Sequence, residues 1–125
     1  MPSDTAVSML NLVRLRERAA YEDGRLASGA EAYTTYGRHS GKVFARVGGT
    51  LIWRGDPKAV LIGPEAERWD IAFIARYPSV AAFRAMLDDP EYKQILHHRT
   101  AAVADSRLIA FGDHEADPDQ IGRRA

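Results

Sequence analysis

A stretch from Trp69 to Phe111 decides the fold, and it reads WDIAFIARYPSVAAFRAMLDDPEYKQILHHRTAAVADSRLIAF. From Trp69 to Tyr77, residues follow a period of two, which places successive side chains on opposite faces of a sheet. Pro78 cannot continue a strand ladder, and Ser79 is a favourable N-cap residue. The pattern therefore predicts a strand, followed by a helix that begins after Ser79 and ends at Asp88.

A second helix is predicted to begin at Asp89-Pro90. An aspartate accepts amide protons at an N-cap, and a proline at the first helical position loses no hydrogen bond. At about 100° per residue, Arg99 falls in the middle of the apolar stripe of this helix. The apolar members of the stripe are Tyr92, Ile95, Leu96 and Val103. His98 lies on the flank of the stripe and His97 points away from it, so the two histidines are not expected to bind one ion.

Turn and cap residues predict the remaining elements. Asp105-Ser106 indicates a turn, which leads into a final strand from Arg107 to Phe111. Ser28 and Glu31 form a capping box for a helix that ends at Gly48-Gly49. The other predicted elements are a strand from Ala6 to Arg16, a loop from Glu17 to Ala27, a strand from Thr50 to Arg54, and an apolar run from Ala59 to Ile62 that leads into a turn.

The composition excludes several classes of protein. A chain of 125 residues has the size of one domain. Lys plus Arg and Asp plus Glu number 17 each, so no nucleic-acid or membrane-surface partner is expected. The absence of cysteine excludes disulfides and thiolate metal sites, and no apolar run approaches the ~20 residues of a membrane span. No signal-peptide pattern is present, so a cytoplasmic location is expected.

The order of the predicted elements indicates the α+β class and a ferredoxin-like βαββαβ fold. In this fold, helices cover an antiparallel sheet on one face only. The predicted strands carry apolar side chains on both faces, and a large exposed apolar patch usually marks a protein interface. We therefore expect two copies to pack through their sheets as a homodimer. The predicted domain covers residues 1–111, and residues 112–125 form a polar C-terminal tail.

Several segments resemble an uncharacterised bacterial family, domain-of-unknown-function family thirteen-thirty. They are MLNLVRLRER at Met9–Arg18, GGTLIWRG at Gly48–Gly55, the Val60–Gly63 turn, RYPSVAAFRAMLDDPEY at Arg76–Tyr92 and HHRTAAVADSRLIAF at His97–Phe111. The family is similar in fold to the dimeric α+β barrel superfamily, which includes cofactor-free monooxygenases, isomerases, haem enzymes and ligand-sensing domains. The resemblance implies the fold and the dimer, and it leaves the chemistry open.

Arg99 is the leading functional candidate, because a guanidinium on an apolar stripe requires a partner. One interpretation is that it binds an anionic ligand bidentately in a partly desolvated pocket. The alternative is a structural ion pair, with Asp70, Asp88 or Asp105 as the partner. The sequence leaves both interpretations open.

Other side chains, on apolar faces or at the strand end before Gly55-Asp56-Pro57, are candidates for the same site. His98 and His39 are candidates for proton transfer near neutral pH, and each has the alternative of a hydrogen-bonded packing role. The candidates for ligand binding are Asn11, Tyr36, Trp53 and Arg54. Packing is the alternative for these residues too, with Trp53 in the core or in the dimer interface.

No metal or other cofactor is expected. The four histidines show no HxH or HExxH spacing, and neither a Gly-rich phosphate loop nor a nucleophile elbow is present. The leading hypothesis is a homodimer with a small-molecule pocket, open to an anionic ligand, between sheet and helices. As an enzyme it would catalyse proton transfer or monooxygenation without a cofactor. The alternative is a non-catalytic ligand-binding or protein-interaction module.

Overall fold

A computed structural model describes residues 1–113. The elements in this part of the chain are β1 (Val7–Leu15), α1 (Gly29–Arg46), β2 (Thr50–Gly55), β3 (Ile71–Tyr77), α2 (Val80–Asp88), α3 (Pro90–Ala102) and β4 (Val103–Phe111). The strands form one sheet in the order β2-β3-β1-β4, and all neighbouring strands are antiparallel. This arrangement confirms the predicted ferredoxin-like α+β fold.

Polar caps define where the helices begin. Ser28 Oγ accepts the backbone N–H of Glu31 at 3.0 Å, and the Glu31 carboxylate accepts the backbone N–H of Ser28 at 2.8 Å. Ser79 Oγ accepts an N–H of the first turn of α2 at 3.0 Å. The Asp89 carboxylate accepts a backbone N–H of the first turn of α3 at 2.8 Å, and Pro90 is the first residue of that helix. The three predicted helix starts are confirmed.

Strand β1 supplies much of the core because it lies inside the sheet. Val7 and Met9 are buried, and they pack against Val43 of α1, Met86 of α2 and Tyr92 of α3. Since the pleat alternates, the intervening side chains of β1 point to the face that carries no helix. The helices thus cover one face of the sheet, and the second face of the described chain is open.

Strand β4 begins earlier than the sequence predicted. The turn expected at Asp105-Ser106 is absent, and Val103, which was expected to extend the helical stripe, is already extended and pairs with Leu15. The physical reason lies at the end of α3. The backbone N–H groups of Arg16 and Ala20 donate to the last carbonyls of that helix at 2.8 Å, so no turn is needed to satisfy them.

Strand β2 contains a bulge that changes which side chains share a face. Trp53 pairs with Ile74 and Arg54 pairs with Phe73, after a register shift that follows Leu51. Regular alternation would have placed Leu51 and Trp53 on the same face. The extra residue instead turns Leu51 and Arg54 toward the helices and Trp53 toward the open face.

The loop between β2 and β3 contains the apolar run that begins at Ala59. This run forms no strand, and Leu61 and Ile62 are 92% and 97% exposed. Strand β3 begins at Ile71, two residues later than Trp69, where the sequence predicted its start.

The predicted C-terminal tail lies outside the described residues, apart from Gly112 and Asp113. The Asp113 carboxylate accepts hydrogen bonds from Ser8 Oγ at 2.6 Å and from Arg76 Nε at 2.8 Å. These contacts attach the residues that follow β4 to neighbouring strands. None of the helices within residues 1–113 is long and apolar enough to cross a bilayer.

Replacing Asp89 by alanine tests the cap of α3. We expect Asp89→Ala to lower the free energy of unfolding by about 1 kcal/mol, because the first turn of α3 loses its acceptor. The Asp89 ion pair with Arg46, at 2.9 Å, lies at the surface and adds little. Asp88→Ala is the matched control, since the Asp88 side chain is exposed. Urea denaturation measures both variants, and equal midpoints for Asp89→Ala and the native protein would contradict the cap.

Candidate functional site

A cavity of about 600 Å³ lies between the sheet and the three helices. Its floor includes one row of side chains across the sheet, in which Arg54 of β2 pairs with Phe73 of β3 and Phe73 pairs with Asn11 of β1. The cavity volume is in the range of pockets that bind small molecules.

One stripe of α1 forms a wall of this cavity. Its members recur at helical spacing and are Tyr33, Tyr36, Gly37, Ser40, Gly41 and Phe44. Beyond the neighbouring residues and backbone of its own helix, a Cβ atom added at Gly37 or Gly41 would have no heavy atom within 4 Å. These glycines therefore do not permit a close helix contact, and they leave the wall open where other residues would narrow it.

Arg99 of α3 borders the cavity and has no carboxylate partner among residues 1–113. Its Nη2 donates one hydrogen bond to Ser106 Oγ at 3.3 Å. Of the three acids that the sequence offered as partners, Asp88 is exposed and the other two have other roles. Asp70 accepts the backbone N–H of Leu15 at 2.7 Å, and Asp105 pairs with Arg107 at 2.8 Å. The structural ion pair is thus not formed within the described chain.

Arg54 is the second cation of this cavity, and the bulge in β2 brings it there. Of the residues that line the cavity, Arg54 and Arg99 alone carry a charge. Arg54 forms no ion pair with an acid among residues 1–113. The cavity of the described chain therefore combines two positive charges with no negative one.

Three tyrosines, Tyr33, Tyr36 and Tyr92, line the same cavity as the two guanidinium groups. The hydroxyls of Tyr36 and Tyr92 are hydrogen-bonded to each other at 2.8 Å, and the rings of Tyr33 and Tyr36 lie 5.5 Å apart between centroids. One hydrogen bond uses one of the two protons of the Tyr36–Tyr92 pair, so the other proton remains available to a further acceptor.

Burial raises the pKa of Tyr33, and the positive charges of Arg99 and Arg54 oppose that rise. Burial also raises the pKa of Tyr36, and its contact with Tyr92 adds to the effect. Both hydroxyls consequently stay protonated at neutral pH. They act in the cavity as hydrogen-bond donors, and they are unsuited to act as bases.

The predicted ligand-binding residues are divided between two faces of the sheet. Asn11, Tyr36 and Arg54 line the cavity, and the Asn11 amide nitrogen donates to the Met9 carbonyl at 3.2 Å. Trp53 lies on the open face, opposite Ile74, and does not border the cavity.

The predicted proton-transfer histidines lie outside the cavity. His98 Nδ1 is 2.6 Å from the hydroxyl of Tyr21, which thereby attaches the loop before α1 to helix α3. The rings of His97 and His98 lie 4.0 Å apart between centroids, so the prediction that these side chains diverge is wrong. The reason is that His97 turns back along its own helix, where its Nδ1 lies 2.8 Å from the Gln94 carbonyl. His39 of α1 is near enough for its charge to act on His98.

A second depression, of about 930 Å³, lies at the end of β1 beside the loop that precedes β3. Its charged lining is partly paired and otherwise exposed, since Lys58, Glu65 and Arg68 are open to solvent. Arg14 donates to the Ala66 carbonyl at 3.1 Å and lies 3.7 Å from the Asp105 carboxylate, and Asp70 accepts from the backbone of Leu15. The smaller cavity is the better candidate, because it lies between the sheet and the helices and its two cations have no acid partner among residues 1–113. Residues 1–113 contain no group of three or more potential metal ligands.

The topology and the cavity define a ferredoxin-like α+β domain with a pocket between sheet and helices. The profile of the family described as "Domain of unknown function (DUF1330)" matches residues 27–112. The chain belongs to this family, which confirms the resemblance seen in the sequence. The chain has no match among curated proteins.

Solved structures support the same fold. A protein of unknown function from Rhodopseudomonas palustris, RPA0582, is 54% identical, with a TM-score of 0.86 over 90% of this chain and 85% of that chain. SnoaB from Streptomyces nogalater, a cofactor-independent oxygenase, is 18% identical, with a TM-score of 0.58 over 91% and 98% of the two chains. A dimeric ferredoxin-like protein of unknown function from Bacteroides fragilis is 11% identical, with a TM-score of 0.56 over 90% and 100%. The similarity to SnoaB and to the Bacteroides fragilis protein shows a shared fold and nothing further.

Sequence reasoning did not select Tyr33 as a site residue. The signal was present, since Tyr33 and Tyr36 are three residues apart and therefore share one face of α1. Sequence reasoning placed Arg54 and Arg99 in one pocket, but it also assigned His39, His98 and Trp53 to that pocket, and these three do not line the cavity.

The pH dependence of stability tests the environment of His98. Burial lowers the pKa of His98, and the charges of His97, Arg25 and His39 lower it further. Below its ordinary pKa of about 6.5, the unfolded chain binds a proton that the folded chain does not, so stability falls as the pH decreases. We expect His98→Gln to lose less stability than the native protein between pH 7.5 and pH 5.5 in urea melts. His97→Gln removes one of the charges that lower the pKa of His98, so it should reduce the loss of stability less than His98→Gln does. Equal slopes for all three proteins would refute the lowered pKa.

Proposed function

We propose that the chain forms a homodimer, and that each copy holds a small-molecule pocket between its sheet and its helices. The dimer and the pocket have separate support. The dimer rests on the open face of the sheet, and the pocket rests on unpaired donors in the cavity.

The open face of the sheet is mainly apolar in the described chain, and Arg76 and Arg107 also lie on it. It carries Leu10, Leu12, Trp53, Ile74, Ile109 and Phe111 on four neighbouring strands. Trp53, Ile109 and Phe111 are 50%, 44% and 47% exposed. A contiguous apolar surface of this kind favours association with another protein surface. A second copy is the simplest partner, and the Bacteroides fragilis protein of the same fold is dimeric.

Light scattering tests the dimer. The native protein is expected to show twice the mass of the chain, with an interface of at least ~1,000 Å². Ile109→Glu should yield monomers, because it places a charge in the middle of the apolar face. Ala85→Glu is the control, since it adds the same charge at an exposed position of α2. A native protein that stays monomeric at micromolar concentration would refute the dimer.

The observation that favours the pocket is a cavity with free donors and an apolar wall. Binding sites for small molecules combine such a wall with a few polar groups that orient the ligand. Here the polar groups are the two guanidinium groups, the tyrosine hydroxyls and the Asn11 amide. Among residues 1–113 no acid pairs with either guanidinium group, and the Tyr36–Tyr92 pair keeps one proton for a further acceptor.

Catalysis without a cofactor is a second candidate, favoured by the fold shared with SnoaB, a cofactor-independent oxygenase. Guanidinium groups in a partly dry cavity stabilise an anion that forms during proton abstraction, and protonated tyrosines donate hydrogen bonds to it. Among residues 1–113, neither a carboxylate nor a histidine lines the cavity. The geometry therefore supports ligand binding and anion stabilisation better than it supports a general base supplied by the protein.

Filling the cavity separates a ligand pocket from a passive gap. We expect Gly41→Leu to remain folded, because the added side chain meets open space and glycine is unfavourable inside a helix by about 1 kcal/mol. Small molecules that raise the melting temperature of the native protein should no longer do so in this variant. Ala45→Leu, at an exposed position of the same helix, should retain the response. The pocket would be refuted if no compound from a broad metabolite set stabilised the native protein.

A further inference from the structure

We propose that the pocket is selective for a monocarboxylate with an apolar, ring-sized body, and that Arg99 and Arg54 bind its carboxylate. The inference rests on the proposed ligand pocket and specifies the chemical class of the ligand. It also assigns the two ends of the cavity to the two ends of that ligand.

The charge of the lining requires an anion. Arg99 and Arg54 are the charged residues of the cavity, and neither has a carboxylate partner within residues 1–113. Arg99 is half-buried and uses one hydrogen bond, to Ser106. A partly desolvated guanidinium without an anion is unfavourable, and its planar fork matches a carboxylate in geometry.

The uncharged polar groups beside the arginines also act as donors. The hydroxyl of Tyr33 lies close enough to both guanidinium groups for their charges to affect its ionisation. The Tyr36–Tyr92 pair has one proton to spare. Carboxylate oxygens accept several hydrogen bonds at once, so an anionic acceptor satisfies this set where a neutral donor would not. We call Arg54, Arg99 and Tyr33 the charged end of the cavity.

The opposite end of the cavity is aromatic. The rings of Phe44 and Phe83 each lie edge-on to Tyr77, with centroids 5.2 Å and 5.1 Å away. Met86 and Leu87 of α2 extend the same surface. We call Phe44, Tyr77 and Phe83 the aromatic end. Tyr33 and Phe44 are eleven residues apart on α1, so about three helical turns separate the residues of the two ends.

Because the charged end and the aromatic end of the cavity are separate, a ligand with both a carboxylate and a ring fits it better than a simpler anion does. Acetate would reach the charged end and leave the aromatic end empty. A phosphate ester brings a second charge and a stronger hydration shell into a cavity whose second cation, Arg54, is exposed to solvent. A monocarboxylate with a ring matches one carboxylate to the guanidinium groups and one apolar body to the aromatic end.

The test uses isothermal titration calorimetry on the native protein with 3-phenylpropionate and its neutral isostere 3-phenylpropanamide. We expect the acid to bind at least tenfold more tightly than the amide, and more tightly than acetate or phenyl phosphate. Arg99→Met keeps an apolar stem of similar length and should remove the preference for the acid. Arg54→Met should weaken it, and Arg84→Met, at an exposed position of α2, should not change it.

The comparison of the acid with the amide in the native protein tests the carboxylate assignment even if a variant misfolds. Equal affinities, or an unchanged preference in folded Arg99→Met, would overturn the carboxylate assignment. If the amide binds and Gly41→Leu abolishes that binding, the pocket stands and the ligand class is wrong. Tighter binding of phenyl phosphate would also overturn the assignment, in favour of a phosphate. If neither the acid nor the amide binds, this inference fails, whereas the pocket itself fails only if the metabolite set also gives no response.

Discussion

The structure depends on the position of β1 inside the sheet. This strand is hydrogen-bonded to β3 on one side and to β4 on the other, so its register determines the register of both. Its buried residues Val7, Met9 and Val13 require helices above them, while Leu10 and Leu12 point the other way. A slip by one residue would exchange these two sets of side chains between the faces. The helix layer, the cavity and the open apolar face all follow from this single alternation.

The cavity exists because the helices cover the sheet without filling the whole space above it. Near the start of β1, Val7 is fully buried and packs against Val43 of α1 and Met86 of α2. Further along the strand, Asn11 and the glycines of α1 leave room. Glycine inside a helix has a cost in stability, and arginine in a partly apolar setting has another. The glycines and the arginine, which both destabilise the fold, lie around the same cavity, and this is typical of functional sites.

Local signals in the sequence were sufficient for most of the fold. Caps at Ser28, Ser79 and Asp89 are short-range interactions, so they can be recognised from a few neighbouring residues. The start of β4 was missed because the carbonyls at the end of α3 are satisfied by Arg16 and Ala20, which are distant in sequence. When the last carbonyls of a helix accept hydrogen bonds from residues that are distant in sequence, the residues around the helix end show no recognisable pattern.

The candidate site was less accessible to sequence reasoning than the fold. Arg99 was selected because a charge on an apolar helical stripe is a local anomaly. Arg54 gives no such anomaly, and it was a candidate only because it lies just before the break at Gly55-Asp56-Pro57, where the end of a strand can open into a pocket. The outward position of Trp53 follows from the bulge, and a bulge depends on pairing between strands. Contacts of this kind appear only once the chain is folded.

The bulge in β2 has a consequence for relatives of this chain. It inserts a single residue between Leu51 and Trp53, and this insertion determines whether the next guanidinium or the indole faces the helices. A relative with the same residues and a regular strand would present tryptophan to the cavity and arginine to the open face. Its pocket would lose one cation and gain a flat ring, while its sheet surface would become charged. The choice of ligand and the choice of partner are therefore coupled through one backbone irregularity, and a comparison of side chains alone would not detect the change.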